Sequence, residues 1–169
     1  MVYRLKLLGI GGQGIVFMGW ILGYALNFEG KYVALHQSYG SEVRGTPVYA
    51  DIVFNNEPVD CPYTREFDLI VALHQKAVDA YADVFTPRTY IIVDKILVKR
   101  IPIDTKNIEF KPFVKIGERE KVKAINMIVL GYLAKKGLVK LESLVNAVKV
   151  AGKNIEENER ALRLGYTMT

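Results

Sequence analysis

Residues Leu8 to Val16 read Leu-Gly-Ile-Gly-Gly-Gln-Gly-Ile-Val and stand between a short apolar strand pattern and a long uncharged stretch of helical character. Gly9, Gly11 and Gly14 satisfy the spacing G-x-G-x-x-G, which permits a tight strand-to-helix turn, close approach of a ligand phosphate, and packing of the helix on a sheet. The free amides at such a helix start face an anion. Gly11, Gly12, Gln13 and Gly14 are therefore candidate phosphate-binding residues. The same spacing serves a purely structural turn equally well, because glycine supplies positive φ and lacks Cβ.

A dinucleotide site also expects an Asp or Glu about 20 residues further on, closing the second strand and holding a ribose hydroxyl. Here that strand reads Lys31 to Gln37 and carries no acid; Glu29 and Glu42 flank it without sitting at its carboxyl end. A phosphate cradle survives this objection better than a nicotinamide site does.

Alternation of strands and helices predicts an α/β fold, a three-layer Rossmann-like sandwich with a mostly parallel sheet and a helical C-terminal segment. Tyr3 to Leu8 is expected as a strand, Gly14 to Phe28 as a helix and Lys31 to Leu35 as a second strand, so that the chain opens with a βαβ unit. Gly19 and Gly23, one helical turn apart, let that helix lie close on the sheet. Pro47 to Phe54, the apolar run Phe67 to Leu73, and Thr89 to Asp94 read as further strands, with a helix from Gln75 to Phe85. Ile101 to Ile116, interrupted by Pro102 and Pro112, reads as irregular or edge strands. Ile125, Ile128, Val129, Tyr132 and Leu133 form one helical stripe, and Leu141, Leu144, Val145 and Val148 another. A last helix runs from about Asn154 to Gly165, whose missing Cβ suits a helix C-terminus.

The 169 residues fit one domain, and a chain of that size buries about 70% of its unfolded surface. Half the residues are hydrophobic and the mean hydropathy is +0.12 beside 24% charged residues, so some apolar surface is expected to serve partners. Cys61 is the only cysteine. It excludes an intrachain disulfide, a Cys-based zinc site and an iron–sulfur cluster held by this chain alone, and a free thiol suits a cytoplasmic setting. The start, Met1-Val2-Tyr3-Arg4, lacks the apolar core of a signal peptide. The uncharged stretch from Leu7 is broken by the glycine turn, and its helical part is too short to span about 30 Å of hydrocarbon. The net charge of +5 concentrates between Lys95 and Lys123, diluted by Asp94, Asp104, Glu109, Glu118 and Glu120. A solvated basic face is the plain reading; contact with an acidic subunit or a phosphorylated cofactor is the sharper one. No aromatic-interleaved RNA motif accompanies it.

A second motif, Ser38-Tyr39-Gly40-Ser41-Glu42-Val43-Arg44-Gly45-Thr46, follows the second strand on the edge where ligands of such folds gather. Ser38, Tyr39 and Arg44 join the candidate site, Arg44 as a guanidinium for phosphate or carboxylate. Pairing of Glu42 with Arg44 to hold the loop is the structural alternative.

Taken with Asn126, Lys153, Glu156, Asn158, Ala161 and Gly165, the two motifs resemble the gamma subunit, or gamma domain, of the 2-oxoacid:ferredoxin oxidoreductases of pyruvate, 2-oxoglutarate and 2-ketoisovalerate type. The resemblance runs from about Leu5 to Gly165. Ser41 departs from a common proline and Thr46 from a common glycine. It implies a non-catalytic subunit, inactive alone, of an enzyme that decarboxylates a 2-oxoacid with thiamine diphosphate and magnesium, forms an acyl-coenzyme A, and passes electrons through iron–sulfur clusters to ferredoxin. Those cofactors belong to alpha, beta and delta partner subunits. The glycine turn and the Arg44 loop would face these partners near the coenzyme A phosphates, and the Tyr39 form of the motif leans towards 2-oxoglutarate. No nucleic acid or membrane partner is implied.

Two rivals are a small NAD(P)-dependent oxidoreductase, which the missing strand-end acid disfavours, and a basic nucleic-acid-binding module. His36 and His74 lack companions at metal-ligand spacing and are expected in core or loop roles. Cys61 is expected as an inert loop thiol. Asn126 and Asn158 interrupt apolar helices and are expected to cap or to bond between helices.

Overall fold

In-out alternation along the strands divides the buried side chains between two faces of one sheet. The computed structural model describes residues 1–38, 44–60 and 63–169. Strand β1 (Tyr3–Ile10) sends Leu5 and Leu7 into the larger hydrophobic cluster and Leu8 into the smaller one on the opposite face, as a period of two requires. After it come α1 (Ile15–Phe28), β2 (Tyr32–Gln37), β3 (Pro47–Asn55), β4 (Leu69–Ala72), α2 (Gln75–Ala80) with a 3-10 turn at Ala82–Val84, and β5 (Tyr90–Asp94). Strand β6 (Ile108–Lys111) and helices α3 (Phe113–Glu120), α4 (Ile125–Lys135), α5 (Leu141–Ala151) and α6 (Ile155–Tyr166) complete the chain.

The six strands lie in the order β2-β3-β1-β4-β5-β6. Pairings β1 with β4, β4 with β5, and β5 with β6 are parallel. Strand β3 is the exception: it runs antiparallel between β1 and β2. The expected βαβ opening is thus modified. Helix α1 carries the chain past the place that β3 later fills, and β1 and β2 run the same way without touching. The register sets Ile10 opposite Pro47 and Gln37 opposite Ala50, so the ends of β1 and β2 and the start of β3 share one edge.

Helices α1, α4, α5 and α6 supply the larger cluster, and α2 with the 3-10 turn covers the other face. Helix α4 is buried at every position from Asn126 to Ala134, a wider burial than the single stripe the sequence suggested. Helix α6 closes on one side of it. That closure is tight: a Cβ on Gly131 would lie 2.0 Å from the carbonyl oxygen of Leu162, and one on Gly165 would lie 1.9 Å from that of Ile128. Gly165 thus sits near the end of α6, as expected, but for a different reason, since its missing Cβ admits a neighbouring backbone. Gly19 likewise lets α1 approach the sheet, its absent Cβ falling 2.9 Å from Ala50 Cβ, whereas Gly23 has 3.7 Å to Val33 and room for a methyl.

Helix α3 replaces the end of the expected irregular stretch. Its start is fastened from a distance by Asp94, fully buried, whose carboxylate accepts from the amides of Ile96, Leu97 and Val114 at 2.8, 3.0 and 2.9 Å. The expected helix from Gln75 to Phe85 is shorter and ends as the 3-10 turn. No helix among the described residues is long and apolar enough to cross a membrane.

On the far edge, Glu109 accepts from Lys136 Nζ at 2.6 Å and from the hydroxyls of Tyr90 and Tyr132. Burial pushes its carboxyl up, but the hydrogen bonds from Lys136, Tyr132 and Tyr90 outweigh this and hold it down at about 2. A carboxylate with a depressed folded pKa contributes stability that is complete above its unfolded value and is lost as pH falls through the folded one. Denaturant unfolding is therefore expected to show a loss of stability between about pH 5 and pH 2, and Glu109→Gln is expected to flatten that dependence. An unchanged slope in the variant would show that other carboxylates carry it.

Candidate functional site

At the carboxyl end of β1, Gly12 and Gly14 take φ of 97° and 71°, in the left-handed region where a side chain is strained. Gly9 answers to space instead, since a Cβ there would lie 2.6 Å from both Gln13 Oε1 and Ile15 Cδ1. The second motif is stitched to this turn by the backbone. The Gly11 amide donates to the Thr46 carbonyl at 2.8 Å, and the Gly45 amide donates to the Gly11 carbonyl at 3.0 Å. Two segments read separately in the sequence are one piece of structure.

Arg44 lies over the turn: a Cβ on Gly12 would come 3.4 Å from Arg44 Cγ and 3.6 Å from its Nε. Its side chain is exposed and has no ion-pair or hydrogen-bond partner among the described residues. Tyr39 and Glu42 lie outside those residues, as does Cys61. Ser38 extends the pairing of β2 with β3, its amide donating to the Tyr49 carbonyl at 3.1 Å and its Oγ accepting from the Tyr49 amide at 3.2 Å.

Gln13 faces inward. Its Oε1 accepts from the Ile10 amide at 2.9 Å and its Nε2 donates to the Leu73 carbonyl at 3.0 Å, so its side chain braces the turn against the end of β4. Asn126 braces it from the other side, donating from Nδ2 to the Gly14 carbonyl at 3.1 Å while its Oδ1 accepts from the Met127 amide at 3.0 Å. The apolar setting of Asn126 signalled a hydrogen-bonding role, but nothing local named the glycine turn as its partner.

Helix α1 begins here with no side-chain cap and no acid in its first turn, which leaves its first amides and the positive end of its dipole for an outside acceptor. A cavity of about 630 Å³ opens on this start, lined by Gly11, Gly12, Gly14, Phe17, Trp20, Ser38, Thr46 and Lys153. It adjoins a second of about 690 Å³ that shares Phe17 and Lys153 and adds Lys121, Lys123, Asn126 and Asn158. No ion pair engages Lys121, Lys123 or Lys153 among the described residues. Asn158 fixes the turn that carries Lys153 by donating to its carbonyl at 2.9 Å. The two described non-glycine residues with positive φ, Lys121 at 54° and Asn154 at 44°, both line this second cavity, and such strain concentrates where a side chain has to be held in place. The lysines were legible only as members of a basic run. The structure divides that run, pairing Arg100, Lys111 and Arg119 with Asp79, Glu109 and Glu120 and sending Lys121 and Lys123 to the cleft.

The carboxyl end of β2 holds Gln37 and Ser38, with no acid for a ribose. His74 Nδ1 accepts from the Lys76 amide at 3.1 Å and caps α2; burial, aided by Lys76, pushes its pKa down. His36 stands 3.8 Å from Asp51. No cluster of three or more metal-ligating side chains occurs among the described residues. An uncapped helix start, with Arg44, Lys121, Lys123 and Lys153 in no ion pair among the described residues and Glu157 as the carboxylate that lines the second cavity, suits a polyanion.

The family described as pyruvate ferredoxin/flavodoxin oxidoreductase matches residues 4–168. The chain is 32% identical to the 2-oxoglutarate synthase subunit KorC of Archaeoglobus fulgidus over 98% of its own length and 87% of that protein. The keto/oxoacid ferredoxin oxidoreductase gamma subunit from Geobacter sulfurreducens superposes with a TM-score of 0.82 at 26% identity, over 98% of this chain and 95% of that one. The 2-oxoglutarate:ferredoxin oxidoreductase from Magnetococcus marinus, solved with 2-oxoglutarate, coenzyme A and succinyl-CoA bound, superposes with a TM-score of 0.84 over 98% of this chain and 30% of that one. At 20% identity, that likeness is one of fold alone.

Proposed function

Because this chain belongs to the pyruvate ferredoxin/flavodoxin oxidoreductase family and is a gamma-type subunit of a multisubunit 2-oxoacid:ferredoxin oxidoreductase, we propose that it holds the phosphates of coenzyme A and contributes no catalytic group. The observation that carries this reading is Arg44, without an ion-pair or hydrogen-bond partner among the described residues, lying against Gly12 at the uncapped start of α1. Coenzyme A bears a diphosphate and a ribose phosphate. The amides of the α1 start and Arg44 suit the diphosphate, and Lys153, Lys123 and Lys121 suit a further phosphate along the same cleft. Gln13 and Asn126 act as positioning residues, holding the turn in shape before a ligand arrives.

The remaining chemistry is assigned elsewhere. A single cysteine cannot ligate a cluster, and the sequence holds no Gly-Asp-Gly run followed by an Asn for the magnesium of thiamine diphosphate; in this reading both lie in alpha, beta and delta partners. The assembly acts in the cytoplasm, and 2-oxoglutarate is the favoured acid, in keeping with the KorC relative. The whole chain works as one domain.

In the assembled complex, Arg44→Gln and Lys153→Gln are each expected to raise KM for coenzyme A by about tenfold, the equivalent of one lost charge-assisted hydrogen bond. KM for the 2-oxoacid should not move, and the isolated chain should reduce neither ferredoxin nor a dye. A KM for coenzyme A that stays at the wild-type value in both variants would remove the phosphate-holding role.

A further inference from the structure

Helix α1 carries no charged residue from Ile15 to Phe28, yet it is a surface helix. Its inward positions, among them Met18, Ile21, Leu22, Ala25 and Leu26, are fully buried. Its outward face bears Phe17, Trp20, Tyr24 and Phe28, spaced by three or four residues and so stacked along one stripe. Trp20, Tyr24 and Phe28 are 46%, 39% and 49% exposed, and the Trp20 and Tyr24 rings touch with centroids 5.8 Å apart. Scattered exposed apolar side chains are ordinary, but a contiguous aromatic stripe on an uncharged helix is a recognition surface.

The place of the stripe says what covers it. Phe17 and Trp20 are also wall residues of the cleft that opens on the glycine turn, so whatever lies on the stripe also lies at the mouth of that cleft. We propose that the α1 stripe is the docking face for the subunit that holds the reaction centre, an inference that rests on the coenzyme A reading above. A thiol ester forms only where the thiol reaches the acyl group, and this chain supplies no centre of its own. A ligand anchored by its phosphates at Gly12 and Arg44 must therefore extend its thiol arm into a neighbour seated at the cleft mouth. The occupant is accordingly a protein surface with an apolar groove, and aromatic anchors are the residue type that dominates such contacts.

The test inserts charge where the stripe leaves the cleft. Tyr24→Glu with Phe28→Glu, combined with the partner subunits in reconstitution, is expected to weaken assembly at least tenfold by native mass spectrometry, while the isolated variant keeps its circular dichroism and melting temperature. Phe110→Glu, equally exposed at 48% but on the opposite edge strand, is expected to assemble as wild type. On the unaltered complex, hydrogen exchange in residues 17–28 should slow on assembly. Wild-type assembly of the double variant, no protection of α1, or a variant that abolishes only self-association of the isolated chain would each overturn the proposal; the last would make a second copy the occupant. These outcomes leave the coenzyme A reading standing, because that reading fails separately, through the KM of the Arg44 and Lys153 variants.

Discussion

Gly165→Ala is expected to lower stability by about 3 kcal/mol, the upper end of what overpacking costs, and to drop the melting temperature by roughly 6–12 °C for a chain of this size. The added methyl would meet the Ile128 carbonyl oxygen at 1.9 Å and the Tyr132 amide nitrogen at 2.9 Å. Both are backbone atoms of a helix buried on every side, so no side chain can swing away, and α4 and α6 must part. Gly131→Ala meets the mirror-image contact at Leu162 and should cost as much. The two losses should add to less than their sum, because one separation of the helices relieves both overlaps. Gly23→Ala provides the contrast. It is helical, its new Cβ would lie an ordinary 3.7 Å from Val33, and it should stabilise by roughly 0.5–1 kcal/mol through helix propensity. Thermal melts of the three variants decide the matter, and a harmless Gly165→Ala would mean that the helices are not held at this distance.

Lys6→Ala is expected to be as damaging, by about 3–5 kcal/mol, the range for removing one member of a buried ion pair. Lys6 and Asp51 are 5% and 3% exposed and meet at 2.8 Å in the middle of the sheet, on adjacent strands β1 and β3. The Lys6 ammonium also sits 4.2 Å from the Tyr49 ring centroid and 4.7 Å from that of Phe67. Without it, Asp51 keeps among the described residues the ion-pair partner His36, at 3.8 Å. Burial pushes the Asp51 carboxyl up against the opposing pull of Lys6 and His36, and losing Lys6 leaves burial less opposed. An acid with a raised folded pKa is best tolerated where it is protonated, so the deficit of Lys6→Ala relative to wild type should shrink as pH falls through that value. Replacing both partners, Lys6→Met with Asp51→Leu, should recover most of the loss, since the same volume is then filled without a charge. If that double variant were no more stable than Lys6→Ala, the deficit would lie in packing and not in the stranded carboxylate.

What the sequence disclosed, and what it withheld, follows the range of the interactions involved. The glycine turn was readable because its conformation depends on adjacent residues, and the carboxyl edge that it shares with Ser38 and Thr46 follows from strand direction alone. The amphipathic stripe of α5, Leu141, Leu144, Val145 and Val148, was readable for the same reason. The position of β3 was not, because an antiparallel strand slipped between two parallel ones leaves no mark on its own apolar alternation. Helix α3 went unseen because its start is held by Asp94, 20 residues upstream. Gly165 showed its small size but not what the smallness was for. Within the site, Gln13 read as a candidate ligand group because of its place in the motif, and the bonds of its side chain to Ile10 and Leu73, on either side of the turn, are tertiary facts that no local pattern shows. Lys153 and Lys123 become neighbours only when the loops before α4 and α6 converge.

The bond from Asn126 to the Gly14 carbonyl joins residues 112 positions apart, and it sets the order in which the molecule becomes competent. A chain made from its N-terminus completes β1 and α1 early, but the turn between them lacks one of its two braces until α4 has been synthesised and folded back. Lys153 arrives later still. During synthesis the ribosome therefore carries a glycine loop with neither its final shape nor its full charge, and an aromatic helix face is exposed before the cleft beside it exists. Completion of α4 and α6 is therefore the event that gives the β1–α1 turn its second brace and brings Lys153 to the cleft beside it.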